Sequence, residues 1–480
     1  MSEVIQEKPT RACPNLFPKE LIIDEVDGKA TNIKLNSLRR PHMRSFHLSW
    51  LGFFSAFTTW FALNPLLKKT IAPLIGITAG DVANSDIANV SSTVIARFFI
   101  GGLVDKFGPS RAMAFILMAG SLPIGLVGLV NSAGGLIVLR LFVGIIGSTF
   151  VPCQYWTTAL FSKNIVGTAN AIAGGWGNMG GGFTFLIMPQ VFNLMKTIGL
   201  SVGNAWKVTY VFPVIICWIV AILCLRFGDD HPVIKTLPVA AETEILKDKP
   251  EEGATAVIDT IAAPTHILGG AAEKVPYWKI MLRAVTNPYV IILMFSYACC
   301  FGVELSVDSQ IANYFIGKYA LDQTTAGQLS SIFGLMNFFS RASGGLLSDL
   351  MFHYFGMRGR IGISATFFFI NGIALIGFSF ADTLGASIGS MVVFSYFTQA
   401  LCGTTFGIVP FVDSGIMGAV TGLVGAGGNI GGAIFNSIFT AYVTNLSGGF
   451  RVMGIIVLVC GFLPTFALRV QGSMLLFKTK

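Results

Sequence analysis

The sequence predicts an all-α membrane protein with twelve transmembrane helices, arranged as two halves of six. Three observations indicate this. Of the 480 residues, 53% are hydrophobic and only 12% are charged, whereas soluble proteins carry about 25% charged residues. The apolar residues occur in blocks of roughly twenty, the length of a helix that crosses about 30 Å of hydrocarbon. Motifs in the first half of the chain recur in the second half. A soluble enzyme is therefore excluded.

The apolar blocks follow one another along the chain with one long interruption, residues 227–287, which is rich in charged residues and proline. It divides the blocks six and six. The expected organisation is a tail over residues 1–45, a six-helix bundle over 46–226, a linker over 227–287, a second bundle over 288–470 and a tail over 471–480. The blocks cover residues 46–66, 84–105, 111–131, 134–156, 165–192, 207–226, 288–316, 326–350, 359–381, 386–410, 416–443 and 451–470.

Lys and Arg near the helix ends predict the orientation, because cytoplasmic loops carry an excess of these residues. Arg39, Arg40 and Arg44 precede the first block, and Arg358 and Arg360 lie at the junction of the eighth and ninth blocks. Both termini and the linker are therefore expected on the cytoplasmic side. The net charge of +8 is spread over loops instead of forming one stripe, so nucleic-acid binding is not expected.

Two arginines within apolar blocks are the most informative charges in the sequence. Arg97 precedes Asp105 by eight residues, and Arg341 precedes Asp349 by the same spacing. Eight residues of helix span about 12 Å, so each arginine is expected near the middle of the membrane. There it costs at least about 2.5 to 3.5 kcal/mol and normally faces a cavity. Duplicated halves place the substrate site between them, near the midplane.

Across such a cavity, the two facing guanidinium groups could each hold a planar oxyanion through two hydrogen bonds. The alternative is that each arginine pairs with a buried carboxylate. Glu304 and Asp308 in the seventh block could serve one arginine, but no acid lies in the middle of the first half to neutralise Arg97. Unpaired buried cations therefore favour an anion as the substrate.

A glycine-rich motif occurs in both the fifth and the eleventh block. In each copy three glycines at positions 0, 3 and 7 leave one helix face without side chains, which suits close helix packing. Asn178 and Asn429 follow the middle glycine, and each is either an interhelical hydrogen bond or a ligand to the substrate, because an amide in lipid must find partners. The glycines are Gly174, Gly177 and Gly181 in the first copy and Gly425, Gly428 and Gly432 in the second.

The turn from Asp105 to Arg111 is predicted to be a gate at the membrane surface. Its acid and base can bridge neighbouring helices in one conformation and release them in another. Asp349 begins the corresponding turn of the second half. Arg140 lies closer to a helix end and is expected to be structural. The cysteines show no metal-ligand spacing, and no nucleophile and base pair lies within the blocks, so neither a metal, a cofactor nor an enzymatic activity is expected.

These motifs resemble those of a known family. Gly-Asn-Met-Gly-Gly at 177–181 and Gly-Asn-Ile-Gly-Gly at 428–432 are similar to the two signatures of the nitrate/nitrite porter family within the major facilitator superfamily. Residues 101–111 resemble the superfamily signature between helices 2 and 3, and other stretches are most similar to eukaryotic high-affinity nitrate transporters of algae and plants. The resemblance implies the major facilitator fold, with halves related by a pseudo-two-fold axis, in the plasma membrane. Extra residues after Asp349 depart from the second gate motif, so a symmetric gate is not expected.

The resemblance also implies a substrate and the residues that bind it. Nitrate is the expected cargo, with nitrite as a second candidate, held between Arg97 and Arg341. The aromatic residues that match those sandwiching the substrate in the family are Phe150, Tyr297 and Phe301, and Tyr297 would donate a hydrogen bond. Some relatives require a single-span accessory protein, which is therefore a candidate partner beside the lipid bilayer.

Energetics point to a coupling ion. Moving one anion into an inside-negative cell costs about 2.3 kcal/mol per 100 mV, so at least two protons per nitrate are required for the potential to assist uptake. Proton symport by alternating access is expected, as the resemblance to the eukaryotic branch also implies. The 5 histidines fall in loops or at helix ends, which leaves Glu304 as the candidate proton carrier, with a structural ion pair as the alternative. A nitrate/nitrite exchanger and a membrane nitrate sensor remain the other interpretations.

Overall fold

A computed structural model describes residues 18–162, 165–232 and 276–475. Within these ranges the chain is helical and forms no strand, only isolated bridges. Twelve helical segments follow in the predicted order: α1 His42–Trp60, α2 Ala79–Phe107, α3 Pro109–Leu129, α4 Ala133–Leu160, α5 Val166–Thr197, α6 Val202–Phe227, α7 Pro288–Tyr319, α8 Gln323–Leu335 with Ser340–Phe355, α9 Met357–Ser379, α10 Leu384–Phe411, α11 Gly418–Ala441 and α12 Leu446–Phe466. Most of the predicted linker lies outside the described residues.

Nine of these segments are long and apolar enough to cross a membrane, counted over the described residues. The other three are α1, α5 and α8. α5 contains the glycine-rich motif, and α8 is interrupted by a 3-10 turn, Met336–Phe338. Large apolar side chains are exposed on the outer surface of α6, as expected for contact with lipid; they include Ile215, Trp218, Ile219, Ile222 and Leu225. The predicted all-α membrane fold is confirmed.

Local sequence signals set the helix ends. α2 begins at a capping box, in which the Thr78 hydroxyl accepts from the Asp81 backbone and the Asp81 carboxylate accepts from the Thr78 backbone, so two end groups of the helix are satisfied. α2 ends at Gly108, whose φ of 83° is costly for a residue with a Cβ. Pro109 then begins α3, because proline has no N–H to lose in the first helical turn.

The two halves meet where α5 lies against α8 and α10 and where α11 lies against α2. α5 and α8 approach very closely at Gly182. A Cβ atom added to Gly182 would lie 2.6 Å from the backbone nitrogen of Leu335, a distance that real Cβ atoms do not tolerate. Small residues thus allow backbone to contact backbone between the halves, as is common in membrane helices.

The described part of the N-terminal tail is packed against the first bundle. Ala30 is fully buried, and its N–H donates to the carbonyl oxygen of Leu160 over 2.9 Å. Asp229, at the start of the linker, forms ion pairs with Arg40 at 2.6 Å and Arg44 at 3.0 Å. The hydrogen bond from Arg40 lowers the pKa of the Asp229 carboxyl. Tail and linker therefore meet at the end of the first bundle, and α1 begins four residues before the predicted block.

Candidate functional site

Arg97 projects from α2 into the interface between the halves and is only 1% exposed. Its Nη1 donates to the carbonyl oxygen of Gly425 on α11 over 2.5 Å, and its Nη2 donates to the carbonyl oxygen of Gly147 on α4 over 3.1 Å. One guanidinium group thus contacts both halves. Its Nε has no hydrogen-bond partner among the described residues.

Arg341 occupies the corresponding place on α8 and is fully buried. Its Nη2 donates to the Tyr297 hydroxyl oxygen on α7 over 3.0 Å, so here the tyrosine is the acceptor. Nε and Nη1 of Arg341 have no hydrogen-bond partner in the described part of the chain. The described ion pairs within 4 Å include neither Arg341 nor Arg97. Carboxylates therefore do not neutralise these cations at contact distance.

An aromatic cluster joins the two arginines. The ring of Phe150 lies under both guanidinium groups, with its centroid 4.9 Å from Cζ of Arg97 and 5.8 Å from Cζ of Arg341. The ring also stacks with Tyr297 at 6.2 Å and with Phe301 at 6.3 Å. Aromatic faces attract cations, so the cluster holds two like charges close to one ring without a carboxylate. The three aromatics of the sequence prediction are thus brought together with both arginines.

Irregular helical turns lie beside these side chains. The 3-10 turn Ile145–Thr149 directly precedes Phe150, and the π-helical turn Ala298–Gly302 includes Phe301 and follows Tyr297. Across the start of that turn, the rings of Tyr297 and Phe301 stack with centroids 5.1 Å apart and planes at 11°. π-turns inside α-helices occur frequently at functional sites.

The two asparagines of the glycine-rich motifs have different partners. Asn178 on α5 donates from Nδ2 to Oε1 of Glu304 over 3.0 Å, and Asn337 on α8 donates to the same oxygen over 2.7 Å. Asn429 donates to the carbonyl oxygen of Gly425 in its own helix over 3.1 Å. In both motif asparagines Oδ1 has no hydrogen-bond partner among the described residues. Asn178 therefore forms an interhelical hydrogen bond, and the Oδ1 atom of each motif asparagine is an unused acceptor.

The bare faces of the glycine motifs lie against side chains of the site. A Cβ at Gly174 would lie 2.9 Å from Nε of Arg341, and one at Gly425 would lie 3.1 Å from Nη1 of Arg97. A Cβ at Gly428 would meet the rings of Tyr297 and Phe301. The remaining motif positions, Gly177, Gly181 and Gly432, lie against Phe53, Asp308 and Leu305.

Close helix packing is the sequence-based explanation of these glycines, and side chains of adjacent helices do lie against them; contact with the backbone of adjacent helices falls on their neighbours. Cβ atoms at Gly180 and Gly182 of α5, or at Gly427 and Gly431 of α11, would collide with backbone atoms of adjacent helices. The spacing of 0, 3 and 7 did identify a special helix face. It could not show that arginine and aromatic side chains would cover that face.

The gate residues are arranged asymmetrically. Asp349 accepts hydrogen bonds from the hydroxyl and backbone N–H of Thr168 on α5 over 2.6 and 3.1 Å, and it pairs with Arg360 at 2.5 Å. It thus ties α8 to the other half. Asp105 and Arg111 are both exposed at the turn between α2 and α3. Arg360, predicted as a loop cation, is instead 1% exposed within α9, because Asp349 neutralises it.

Arg140 has the structural role expected of it. It pairs with Asp86 at 3.1 Å and donates to Oδ1 of Asn64 over 2.8 Å, buried within the first half. Sequence reasoning missed Asn337 as the second partner of Glu304. It also missed Phe406 on α10, whose ring packs edge-on against Phe150 with centroids 5.1 Å apart. Neither residue stands out by charge or spacing, so only their place in the fold reveals them.

These features define a class of protein: an integral membrane transporter built from two six-helix halves. The fold agrees with solved transporters. A proton:xylose symporter structure superposes with a TM-score of 0.62 over 88% of this chain and 95% of its own, at 12% identity. A bacterial homologue of the lysosomal transporter Spinster gives 0.59 over 88% and 96%, at 13% identity. Identities this low show the fold alone.

Sequence comparison then gives the family. The Major Facilitator Superfamily model matches residues 49–436. The chain is 37% identical to high affinity nitrate transporter 2.5 of Arabidopsis thaliana, over 91% of this chain and 82% of that one. It is 36% identical to nitrate transporter 2.1 of Chlamydomonas reinhardtii, over 99% and 82%, and 27% identical to the nitrate/nitrite transporter NrtP of Nostoc punctiforme, over 89% and 92%. The chain belongs to the nitrate transporters of the major facilitator superfamily, as predicted, and is not an enzyme.

Proposed function

We propose that the protein imports nitrate, and nitrite as a second substrate, by proton symport across the plasma membrane, with both termini in the cytoplasm. Nitrate as the substrate is supported by the relatives of the chain, which are named as nitrate transporters. Symport is supported by the energetic requirement for at least two protons per anion when the cell interior is negative, at about 2.3 kcal/mol per charge per 100 mV.

The proposed substrate site rests on one observation: Arg97 and Arg341 both have hydrogen-bond donors that no described residue uses. Nε of Arg97 and both Nε and Nη1 of Arg341 point into a buried region with no hydrogen-bond partner among the described residues. Buried donors without partners carry a penalty of about 1 to 3 kcal/mol each, and more for charged groups. A planar oxyanion that accepts these bonds removes the penalty and neutralises part of the charge. Nitrate has three oxygens for this purpose.

Transport requires this site to open. Arg97, Arg341, Phe150, Tyr297 and Phe301 are all at most 1% exposed, so nitrate can neither enter nor leave in this conformation. Asp349 and Thr168 hold the halves together on the side expected to be cytoplasmic. On the opposite side, Lys68 donates to Gln310 over 3.4 Å and Thr70 donates to Gln323 over 3.3 Å. Alternate release of these two sets of contacts gives access from each side in turn.

Glu304 is the proposed proton carrier. It is fully buried, and the ion pairs found in the described part of the chain do not include it. Its Oε1 accepts from Asn178 of one half and Asn337 of the other. The carboxyl group therefore lies at the surface that separates when the halves move. Loss of the Asn178 contact would change its environment during each transport cycle.

The substrate site is tested by Arg97→Lys and Arg341→Lys. Lysine keeps the charge but loses the planar fork that binds an oxyanion through two donors. We expect nitrate uptake in oocytes or proteoliposomes to fall at least tenfold in each variant, with membrane insertion preserved. Arg451→Lys is the matched control, because Arg451 lies on α12 against Phe380, outside the site. Unchanged uptake in both site variants would refute the proposal.

Symport is separated from exchange by one comparison. Purified protein in proteoliposomes is assayed for nitrate uptake with and without an inward proton gradient, and for counterflow at zero gradient. A symporter accumulates nitrate when the gradient is applied, whereas a nitrate/nitrite exchanger shows equal counterflow under both conditions and no accumulation.

In oocytes, nitrate-evoked inward current is measured with and without a single-span accessory protein, which tests that candidate partner.

A further inference from the structure

A second buried acid lies one helical turn beyond Glu304. Asp308 is on α7, four residues further along, and is only 2% exposed. Its Oδ2 has no hydrogen-bond partner among the described residues, and Asp308 is absent from the ion pairs found there. A carboxylate with this environment is expensive to keep ionised inside a membrane. Nothing in the substrate site already described uses it.

The glycine motif of the opposite half faces this acid. A Cβ atom on Gly181 of α5 would lie 3.3 Å from Oδ2 of Asp308, so the bare helix face leaves room for the carboxyl group. One turn earlier on α5, Asn178 binds Glu304. Two adjacent positions of one motif thus cover two adjacent acids on α7. The contact between the halves therefore also covers both carboxyl groups.

The other groups around the acids are few. On the remaining elements, Asn337 of α8 bonds to Oε1 of Glu304, and the Cys402 thiol of α10 lies 3.6 Å from Oε2. Arg341 is a cation whose charge acts on Glu304. Two residues beyond Asp308, Gln310 accepts from Lys68 of the other half. The charged group that acts electrostatically on Asp308 is Glu304.

We propose that Asp308 binds the second of the two protons carried with each nitrate, beside the first proton on Glu304. The proposal rests on the proposed proton symport. Each acid takes up one proton from the outer solution when the halves are open to that side, holds it as a neutral carboxylic acid while the halves are closed, and releases it to the inner solution when the halves open to the cytoplasm. Two protons with one nitrate carry one net positive charge inward, so the membrane potential drives uptake.

The test is the ratio of charge to nitrate in proteoliposomes, from nitrate-evoked current and tracer uptake measured together. The wild type should move about one charge per nitrate. Asp308→Asn keeps the shape but cannot bind a proton, so the ratio should fall to about zero, while uptake driven by a pH gradient continues and no longer responds to a valinomycin-set potential. Counterflow at zero gradient should stay within about twofold of wild type.

Two further variants make the outcome decisive. Ser309→Ala is the matched control, because its hydroxyl bonds only to the carbonyl oxygen of Leu305 in the same helix, and it should keep the ratio at one. Asp308→Glu should also keep it, since a carboxyl group is retained. A ratio of one in Asp308→Asn, or a ratio of zero in an Asp308→Glu protein with normal counterflow, would overturn the assignment. If the wild-type protein transports nitrate without proton coupling, the proposed proton symport itself is refuted.

Discussion

Nη1 of Arg97 donates to the carbonyl oxygen of Gly425 over 2.5 Å, so the arginine of the first half is anchored on the glycine motif of the second. The relation is crossed: Arg341 of the second half lies against Gly174, at the equivalent motif position of the first half. The two sequence repeats therefore do not form two separate sites. The arginine of each half lies against the glycine motif of the other half.

This crossed packing predicts the effect of one added methyl group. Gly174→Ala would place Cβ 2.9 Å from Nε of Arg341, so the guanidinium must move by several tenths of an ångström. Small displacements of binding groups cost up to about a hundredfold, and we expect the apparent nitrate affinity to fall roughly tenfold in uptake assays. Gly377→Ala is the control, because nothing lies within 4 Å of its added Cβ. Equal affinity in both variants would contradict the crossed site.

The hydrogen bond between Arg341 and Tyr297 predicts the effect of a second substitution at the proposed site. Its hydroxyl oxygen accepts from Nη2 of Arg341 and so fixes the direction of the remaining donors. Tyr297→Phe removes about 1 kcal/mol of hydrogen bonding, and we expect nitrate KM to rise roughly fivefold with little loss of protein, because the ring stacking is retained. The concentration dependence of uptake measures this. Tyr314→Phe, whose hydroxyl bonds to Ser387 away from the site, should leave KM unchanged.

Glu304→Gln tests the first proton. Glutamine retains an oxygen that accepts from Asn178 and Asn337, so the interface between the halves should persist. It cannot release or bind a proton in the physiological range. We expect the charge moved per nitrate to fall from about one to about zero, because one proton of the two is lost, while nitrate counterflow at zero gradient stays within a fewfold of wild type. A charge ratio that stays at one in proteoliposomes would assign the proton elsewhere.

Thr168→Val tests the contact that holds one side closed. The change removes the hydroxyl donor to Asp349 but leaves the pair between Asp349 and Arg360. A hydrogen bond to a charged group is worth about 1.5 to 3 kcal/mol, so the open population should rise at least tenfold. The readout is the rate of thiol labelling of buried Cys402 in a background without other cysteines.

A matched variant on the same helix controls for this experiment. The Thr184 hydroxyl bonds to the carbonyl oxygens of Thr58 and Gly180 within the first half, so Thr184→Val should not change the balance between closed and open states. Faster labelling in Thr168→Val alone supports Asp349 as a gate residue. Equal labelling rates in the two variants would show that the gate depends on other contacts.

Much of the molecule was predictable from the sequence for a simple physical reason. Long apolar blocks indicate that a helix is surrounded by lipid, and the membrane fold predicted from them was confirmed. Arg97 and Arg341 were identifiable without knowledge of their neighbours, because a charge inside an apolar block is unusual. Phe150 was accessible only through family resemblance, because one aromatic among many apolar residues carries no signal of its own. The roles assigned to these residues in binding stay predictions.

The remaining features depend on contacts between distant parts of the chain. Asn337 and Phe406 have no distinctive spacing. The sequence made Asp308 a candidate partner for an arginine, but its Oδ2 has no hydrogen-bond partner among the described residues. Arg360 looked like a loop cation because helix ends are poorly defined by composition. Each required the packing of one element on another, which periodicity along a single helix does not contain.

The crossed arrangement of arginines and glycines has a consequence for how cargo is released. Because the lining of each guanidinium belongs to the other half, the rocking motion of the proposed transport cycle would separate each cation from its lining. Access to the proposed site and its affinity for the anion would then change together, and no competing ligand would be needed to displace the anion. An isolated half, carrying one cation and one vacant helix face, would have no site at all.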